Sequence, residues 1–326
     1  MERILGPIRD EMDRFERRLD ERLRSDVVTV HEVARYMATL RGKRLRPALV
    51  VLTARATGLW RDEIVEAITD AGVGVEMIHA ATVVHDDVVD SALTRRGKAS
   101  VNSRWDNQIA VLMGDFLLAR ALCILVALGN QKALMTVSRA TERLSQGEIH
   151  ELQIGRQADT REGSYFAMVS DKTASLIAAS CKIGPLLVGA GDQVVAAMTR
   201  YGEALGLAFQ IADDLLDFTG DPDALGKPVG HDLREGKITL PVIHALAAAP
   251  PAARDAMEKV LRRRDRSEVD WSAMAAFVEE HGGLQSAAAT ARQYARQAQD
   301  CLEVLAPSPY RAALETAVRL VVERQS

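Results

Sequence analysis

The sequence predicts an all-α protein, and three observations carry that expectation. Apolar residues return at helical spacing along nearly the whole chain, while sustained strand-type alternation is hard to find. Hydrophobic residues make up 48% of the 326 and aromatics only 4%, so a core must be assembled mainly from Ala, Leu, Val and Ile, which suits closely packed helices. Gly42, Gly58, Pro250-Pro251 and Gly282-Gly283 break the periodic stretches.

The elements follow in order. One amphipathic segment runs over about residues 8–40 and is broken by Gly42. Pro47 sits where a first helical turn tolerates proline and opens "PALVVLTARAT", which Gly58 closes. A long helix is predicted over 62–91, then a polar loop, "TRRGKASVNSR", then helices over roughly 106–128, 131–157, 165–188 and 193–218. "TGDPDALGKPVGHDLREGK", rich in Gly, Pro and Asp, reads as an irregular loop. From Thr239 onward the chain is Ala-rich and helical, with breaks at Pro250-Pro251 and Gly282-Gly283. No short repeat and no linker-like stretch divides it, so a single domain over 1–326 is expected.

Bulk properties exclude several classes. A net charge of -4 argues against nucleic-acid binding and requires any anion site to be locally basic. Cys123, Cys181 and Cys301 are far apart and form neither a CxxC pair nor a disulfide framework, which fits a reducing cytoplasm. The charged N-terminus lacks the apolar core of a signal peptide. The longest apolar stretch, near 121–128, lies between Arg120 and Gly129 and is short of the roughly 18 residues a membrane span needs, so no transmembrane segment is expected.

The unusual chemistry starts at "HDDVVD", where Asp86, Asp87 and Asp90 interrupt an apolar run. Residues four apart on a helix differ by about 40° of rotation and about 6 Å of rise, so Asp86 and Asp90 face the same way. The pattern returns as "DDLLD", with Asp213, Asp214 and Asp217 in the apolar stretch "GLAFQIADDLLDF". Burying an unpaired carboxylate costs several kcal/mol, roughly. A hard divalent cation removes that penalty, and Mg²⁺ prefers carboxylates combined with phosphate oxygens. Three basic clusters accompany the aspartates: "GKRLRP", with Lys43, Arg44 and Arg46; "RRGK", with Arg95, Arg96 and Lys98; and "GKPVGHDLREGK", with Lys227, Arg234 and Lys237. Arg offers a bidentate fork and Lys a compact charge for a diphosphate.

Together "GKRLRP", "HDDVVDSALTRRG", "DKTASL", "FQIADDLLD" and "GKPVGHDLREGKITLP", in that order between about 42 and 241, resemble the trans-isoprenyl diphosphate synthases of the polyprenyl synthase group. The resemblance implies a helical bundle around a deep central cavity, a homodimer, and three Mg²⁺ ions with substrate bound. It implies that Asp86 and Asp90, supported by Asp87, and Asp213 and Asp217, with Asp214 nearby, hold the metal. Lys43, Arg46, His79 and Arg96 match positions that grip isopentenyl diphosphate. Arg95, Lys172, Thr173, Gln210, Lys227 and Lys237 match positions that serve the allylic diphosphate. The implied reaction is ionisation of the allylic diphosphate, condensation with isopentenyl diphosphate and loss of a proton.

Positions 81 and 82, one helical turn before Asp86, carry large aromatics in short-chain members; here Ala81 and Thr82 are small. A product longer than geranylgeranyl is therefore expected, released with transient membrane contact, against the alternative of a geranylgeranyl or farnesyl synthase. Phe116, Met113 and Met135 are candidates for the side chain that stops growth. Two readings from other classes compete. "EMIH" places Glu76 and His79 in an ExxH pattern, as in a di-iron protein, but no second ExxH occurs. His85-Asp86 suggests a metal-dependent phosphohydrolase, which leaves the second aspartate motif and the basic clusters without a role. A non-catalytic partner subunit would be expected to lose aspartates, and all six are present.

Overall fold

The structure, a computed structural model, describes residues 1–40, 42–219, 236–263 and 268–323. Among these the chain is helical almost throughout, as the apolar spacing predicts, and the sheet they contain is a two-stranded hairpin. The chain forms two compact units. The first takes residues 1–141, 176–202 and 301–317, and the second takes 142–175, 203–300 and 318–326.

In the first unit α1 (Arg9–Arg22), α2 (Val28–Thr39), α3 (Leu45–Ala56), α4 (Val65–Val89) and α5 (Asn107–Ala127) follow one another. Helix α4 packs against α1, α3 and α5. Ile68, Val73, Val75, Met77, Ile78 and Ala81 are all buried on it, the signature of a helix enclosed on every side. Polar ties fix its rotation. Arg18 and Arg22 of α1 reach Asp70 at 2.8 and 3.1 Å, and Arg44 lies between Glu16 at 3.0 Å and the buried Glu76 at 2.6 Å. Each of these carboxylates meets a cation, which removes most of the cost of burying it.

Two stretches differ from the sequence reading. The segment expected as one helix over 8–40 is two helices, because the Ser25 hydroxyl accepts the Val27 N–H at 3.2 Å and Val27 is extended. A short side-chain bond of this kind competes directly with the helical one. The polar loop after α4 contains a hairpin, β1 (Thr94–Arg95) against β2 (Lys98–Ala99), with Arg95 opposite Lys98. Its two connecting residues, Arg96 and Gly97, have φ of 53° and 73°, the left-handed pair that matches strand twist in a tight hairpin.

Helix α5 corrects the expectation that no apolar stretch reaches membrane-spanning length. Only Asp115 and Arg120 interrupt it, its mean hydropathy reaches 2.3, and only 39% of that window is buried. The stretch Asp62–Val89 is also long and apolar enough, but 67% of its window is buried, as a core helix requires. On α5, Val111, Leu112, Leu122 and Val126 stand exposed.

Helices α6 (Gln131–Gln157), α8 (Ser175–Leu187), α9 (Asp192–Thr219) and α14 (Pro309–Glu323) each contribute residues to both units. The second unit adds α7 (Glu162–Val169), α10 (Leu240–Ala248), α11 (Pro251–Leu261), α12 (Glu268–Glu280) and α13 (Gly283–Cys301). Its core gathers Tyr165, Val169, Ile211, Leu240, Ala287 and Ala291. The helix expected over 165–188 is interrupted by a π-turn, Ser170–Ala174, between α7 and α8. Arg143 bonds Asp171 at 2.6 Å and the Ser170 hydroxyl at 2.7 Å, holding the widened turn. A π-turn inserts one extra residue and so re-aims the side chains it carries, here Lys172 and Thr173.

Candidate active site

The first aspartate motif occupies the last turn of α4. Its middle member, Asp87, is buried, and Arg95 donates to it from Nε at 2.7 Å. Asp86 is half-buried and Asp90 is exposed. Neighbouring aspartates lie about 100° apart around a helix, so one turns into the protein while those four apart share the accessible side. The helix then stops at once. Ser91 is left-handed with φ of 52°, the Ala92 N–H reaches the Asp87 carbonyl at 2.9 Å, and the Ser91 N–H reaches that of Val88 at 3.2 Å. This double closure normally uses Gly. The Asn102 amide, donating to the carbonyls of Asp87 and Ala92 at 3.1 and 3.2 Å, holds it with a serine instead.

The hairpin then folds back on α2. Arg96 donates to the Leu40 carbonyl at 2.6 Å, Lys98 to that of Thr39 at 3.3 Å, and the Tyr36 hydroxyl to that of Ala99 at 2.6 Å. Two cations thus satisfy carbonyls that the end of α2 leaves over. A cavity of about 100 Å³ opens beside them, lined by His79, by Arg44, Arg95 and Arg96, by the carboxylates of Asp20, Glu76 and Asp87, and by apolar residues such as Ala80, Val83 and Val84. Burial, reinforced by the charges of Arg46, Arg96, Arg95 and Arg44, holds the pKa of His79 well below 6.5. Burial and the neighbouring Arg95 also lower that of Arg96. Arg95 is balanced by Asp87, and Arg44 by Glu16 and Glu76. Four arginines thus act on a His79 that stays neutral.

The second motif repeats the arrangement in the other unit. Asp214 is buried, and its carboxylate accepts from the Tyr165 hydroxyl at 2.5 Å and from the Gln210 amide at 2.9 Å. Thr173 donates to the Gln210 carbonyl oxygen at 2.7 Å, which fixes which way that amide points. Asp213 and Asp217 remain half-buried. Lys172, carried by the π-turn of the same unit, meets Glu148 at 2.7 Å and Glu151 at 2.6 Å. The π-turn that carries Lys172 comes so close to α6 that a Cβ on Gly147 would sit 2.3 Å from the Lys172 nitrogen, closer than any side chain permits.

Of the residues the sequence singles out, His79, Arg95 and Arg96 come together in one cavity, with Arg46 close enough to act on His79. Thr173, Gln210 and Asp214 form one chain of hydrogen bonds. Lys43 is exposed and Lys237 half-buried, while Lys227 and Arg234 lie outside the described residues. Ala81 is fully buried and Thr82 half-buried, its hydroxyl donating to the His79 carbonyl at 2.9 Å. Met113 is buried, Phe116 half-buried beneath Arg120, and Met135 half exposed. Glu76, half of the ExxH pattern, is occupied by Arg44, and His85 turns toward α5, 3.1 Å from the Val111 carbonyl. Sequence reasoning passed over Tyr165, Asn102 and the pair Glu148 and Glu151. The i, i+3 spacing of the two glutamates was a legible signal; an aromatic and an amide at those positions give none.

The donor set fits Mg²⁺. Hard carboxylate oxygens stand in pairs four residues apart on two helices, each pair set beside a scaffolded third aspartate. Among the described residues no three metal-binding side chains cluster, and a Mg²⁺ site that shares its shell with phosphate oxygens does not require them.

The chain is similar to known proteins over its whole length. A family profile described as polyprenyl synthetase matches residues 27–278. The all-trans-nonaprenyl-diphosphate synthase (geranyl-diphosphate specific) of Rhodobacter capsulatus is 36% identical over 321 residues, covering 98% of this chain and 97% of the relative. A decaprenyl diphosphate synthase structure from Rhodobacter capsulatus matches with a TM-score of 0.93 at 34% identity, over 100% of this chain and 99% of its own. A polyprenyl synthase structure from Caulobacter crescentus, complexed with calcium and isoprenyl diphosphate, matches with a TM-score of 0.91 at 34% identity, over 100% and 98%.

The lowered pKa of His79 predicts a pH dependence. The unfolded chain takes up a proton near pH 6.5 that the folded protein refuses, so the folded state is favoured fully above that pH and progressively less below it. Thermal midpoints of the wild type should fall between pH 7.5 and about 5.5 more steeply than those of His79→Gln. Parallel profiles would contradict the assignment.

Proposed function

The chain belongs to the polyprenyl synthetase family, and on that footing we propose that it is a Mg²⁺-dependent trans-polyprenyl diphosphate synthase. It joins isopentenyl diphosphate head to tail onto an allylic diphosphate and makes a product longer than geranylgeranyl. One observation carries this reading. Both aspartate motifs bury their middle carboxylate against a dedicated scaffold, Arg95 in one and Tyr165 with Gln210 in the other, and present the outer pair on an accessible face.

Asp86, Asp90, Asp213 and Asp217 are the proposed ligands of three Mg²⁺ ions. Bound Mg²⁺ supplies Lewis-acid stabilisation of the charge that gathers on a departing diphosphate. The chain's own part is preorganisation. Lys172, Lys227 and Lys237 are assigned to the allylic diphosphate, where fixed cations favour the charge that appears only as the carbon–oxygen bond breaks. Lys43, Arg46, His79 and Arg96 are assigned to the diphosphate of isopentenyl diphosphate. A neutral His79 donates one ring N–H to that anion without adding a charge to an already cationic pocket. The double bond of isopentenyl diphosphate then attacks the allylic cation, a new carbon–carbon bond forms, and the lost proton passes to an oxygen of the released diphosphate. No protein nucleophile takes part.

Product length is assigned to Ala81 and Thr82, small side chains one helical turn before the proposed metal ligands. Each isoprene unit adds about five carbons at roughly 0.8 kcal/mol of burial per carbon, so growth is favoured until a side chain blocks it. The proposal includes a homodimer, supported by the exposed apolar residues on α5, and a cytoplasmic setting, in keeping with three free cysteines.

Purified protein given Mg²⁺, labelled isopentenyl diphosphate and an allylic starter should yield chains beyond twenty carbons by chromatography, and Asp90→Asn or Asp217→Asn should lower the rate by about a hundredfold or more. No product from any starter, or variants as active as the wild type, would refute the assignment. Ala81→Phe should shift the products to shorter chains while the protein stays folded by circular dichroism; an unchanged distribution excludes Ala81 from the growth path. Sedimentation velocity should give a dimer at micromolar concentration that Leu122→Glu with Val126→Glu converts to monomer, and a monomeric wild type would remove that part.

A further inference from the structure

A second basic feature is lined by no residue of either aspartate motif and takes no part in the reaction described above. Within the first unit the first turns of α6, the end of α8 and the first turns of α9 enclose an open groove of about 700 Å³. Four cations line it: Lys132 and Arg139 from α6, Lys182 from α8 and Arg200 from α9. The carboxylate among the lining residues is that of Asp192. Lys182 is half-buried and the other three are exposed. Among the described residues none of the four forms an ion pair or side-chain hydrogen bond. This contrasts with Arg44, Arg95, Arg143 and Lys172, each of which meets a carboxylate.

Such an excess is unusual in a chain whose net charge is -4. Four like charges around one depression repel one another unless an anion is present. The walls between them are apolar, formed by Met135, Leu186, Val195 and Ala196. The hydroxyls of Thr136 and Thr199 already donate to the carbonyls of Lys132 and Val195 at 2.8 and 2.7 Å, which leaves the cations as the charged donors. Positions 132, 136 and 139 share one face of α6, and 192, 196 and 199 share one face of α9, so helical spacing delivers this combination from two elements at once. Cationic rim and apolar wall together suit a phosphate that carries a hydrocarbon stem, and suit a carboxylate or sugar less well.

We propose that this groove is a second anion site, taking a phosphate group, free or on an apolar stem, independently of the diphosphates that react. The proposal does not rest on the synthase assignment, because its readout is binding rather than turnover.

The test compares the wild type with a variant carrying Lys132→Gln, Arg139→Gln, Lys182→Gln and Arg200→Gln. Two probes separate the sources of phosphate: inorganic pyrophosphate by calorimetry in EDTA, and co-sedimentation with vesicles of phosphatidylcholine alone or with phosphatidylglycerol added. The wild type is expected to bind pyrophosphate, or the anionic vesicles in preference to the neutral ones. Affinity should fall by roughly fivefold for each neutralised side chain and weaken with added salt, while synthase turnover in detergent stays unchanged. Loss of pyrophosphate binding in the variant identifies a free phosphate as occupant, and loss of binding to anionic vesicles alone identifies a lipid head group. If the wild type binds neither, or the variant binds as tightly as the wild type, the proposal fails. Should the fourfold variant not fold, Lys132→Gln with Arg139→Gln, both at exposed positions, carries the same comparison.

Discussion

The arrangement of this protein depends on how it holds negative charge inside apolar helices. Asp87 and Asp214 are each almost wholly buried, and a carboxylate in that position without a partner would cost several kcal/mol, roughly. Different chemistry answers the same demand in each. A guanidinium bonds Asp87, and a phenol and a primary amide bond Asp214. With the middle carboxylate fixed, the rotation of the helix about its axis is fixed too, and the outer aspartates are carried to the accessible side. On the proposed function, the outer pairs that would hold metal are positioned by residues that need not touch it themselves.

A complementary device appears on the basic side. Arg44 and Arg96 both sit in left-handed backbone, which non-glycine residues adopt at some cost. In each case the guanidinium finds strong partners, Glu16 and Glu76 for Arg44 and the Leu40 carbonyl for Arg96. The strain is held by these bonds, and the result is a cluster of arginines around a histidine that burial keeps neutral. A pocket assembled in advance in this way loses little ordering entropy when an anion arrives.

Much of this was legible beforehand. The all-α class, the bounds of the long helices to within a few residues and the two aspartate motifs follow from spacing and composition, which depend only on neighbours along the chain. What was missed has a common cause. The break after α1, the hairpin after α4 and the π-turn before α8 each turn on one or two side-chain bonds, from Ser25, Arg96 and Arg143 respectively. Arg96 and Arg143 find their partners far along the chain, and Ser25 competes with a helix that periodicity alone would have continued. Helix α5 was underrated because two charges interrupt its apolar run, although Arg120 reaches the Arg22 carbonyl and Asp115 remains exposed.

By itself the sequence determined which residues are chemically capable: six aspartates at helical spacing, three basic clusters and small residues before the first motif. Spacing along a helix fixes relative direction, so it also determined that Asp86 shares a face with Asp90, and Asp213 with Asp217. It did not determine which face, nor which charges remain available to a substrate. The tertiary structure decided that Arg95 answers Asp87, that Arg44 answers Glu16 and Glu76, and that Lys172 answers Glu148 and Glu151. The reason is physical. A charge is neutralised by whatever lies within a few ångströms of it, and that neighbour is chosen by packing rather than by order along the chain.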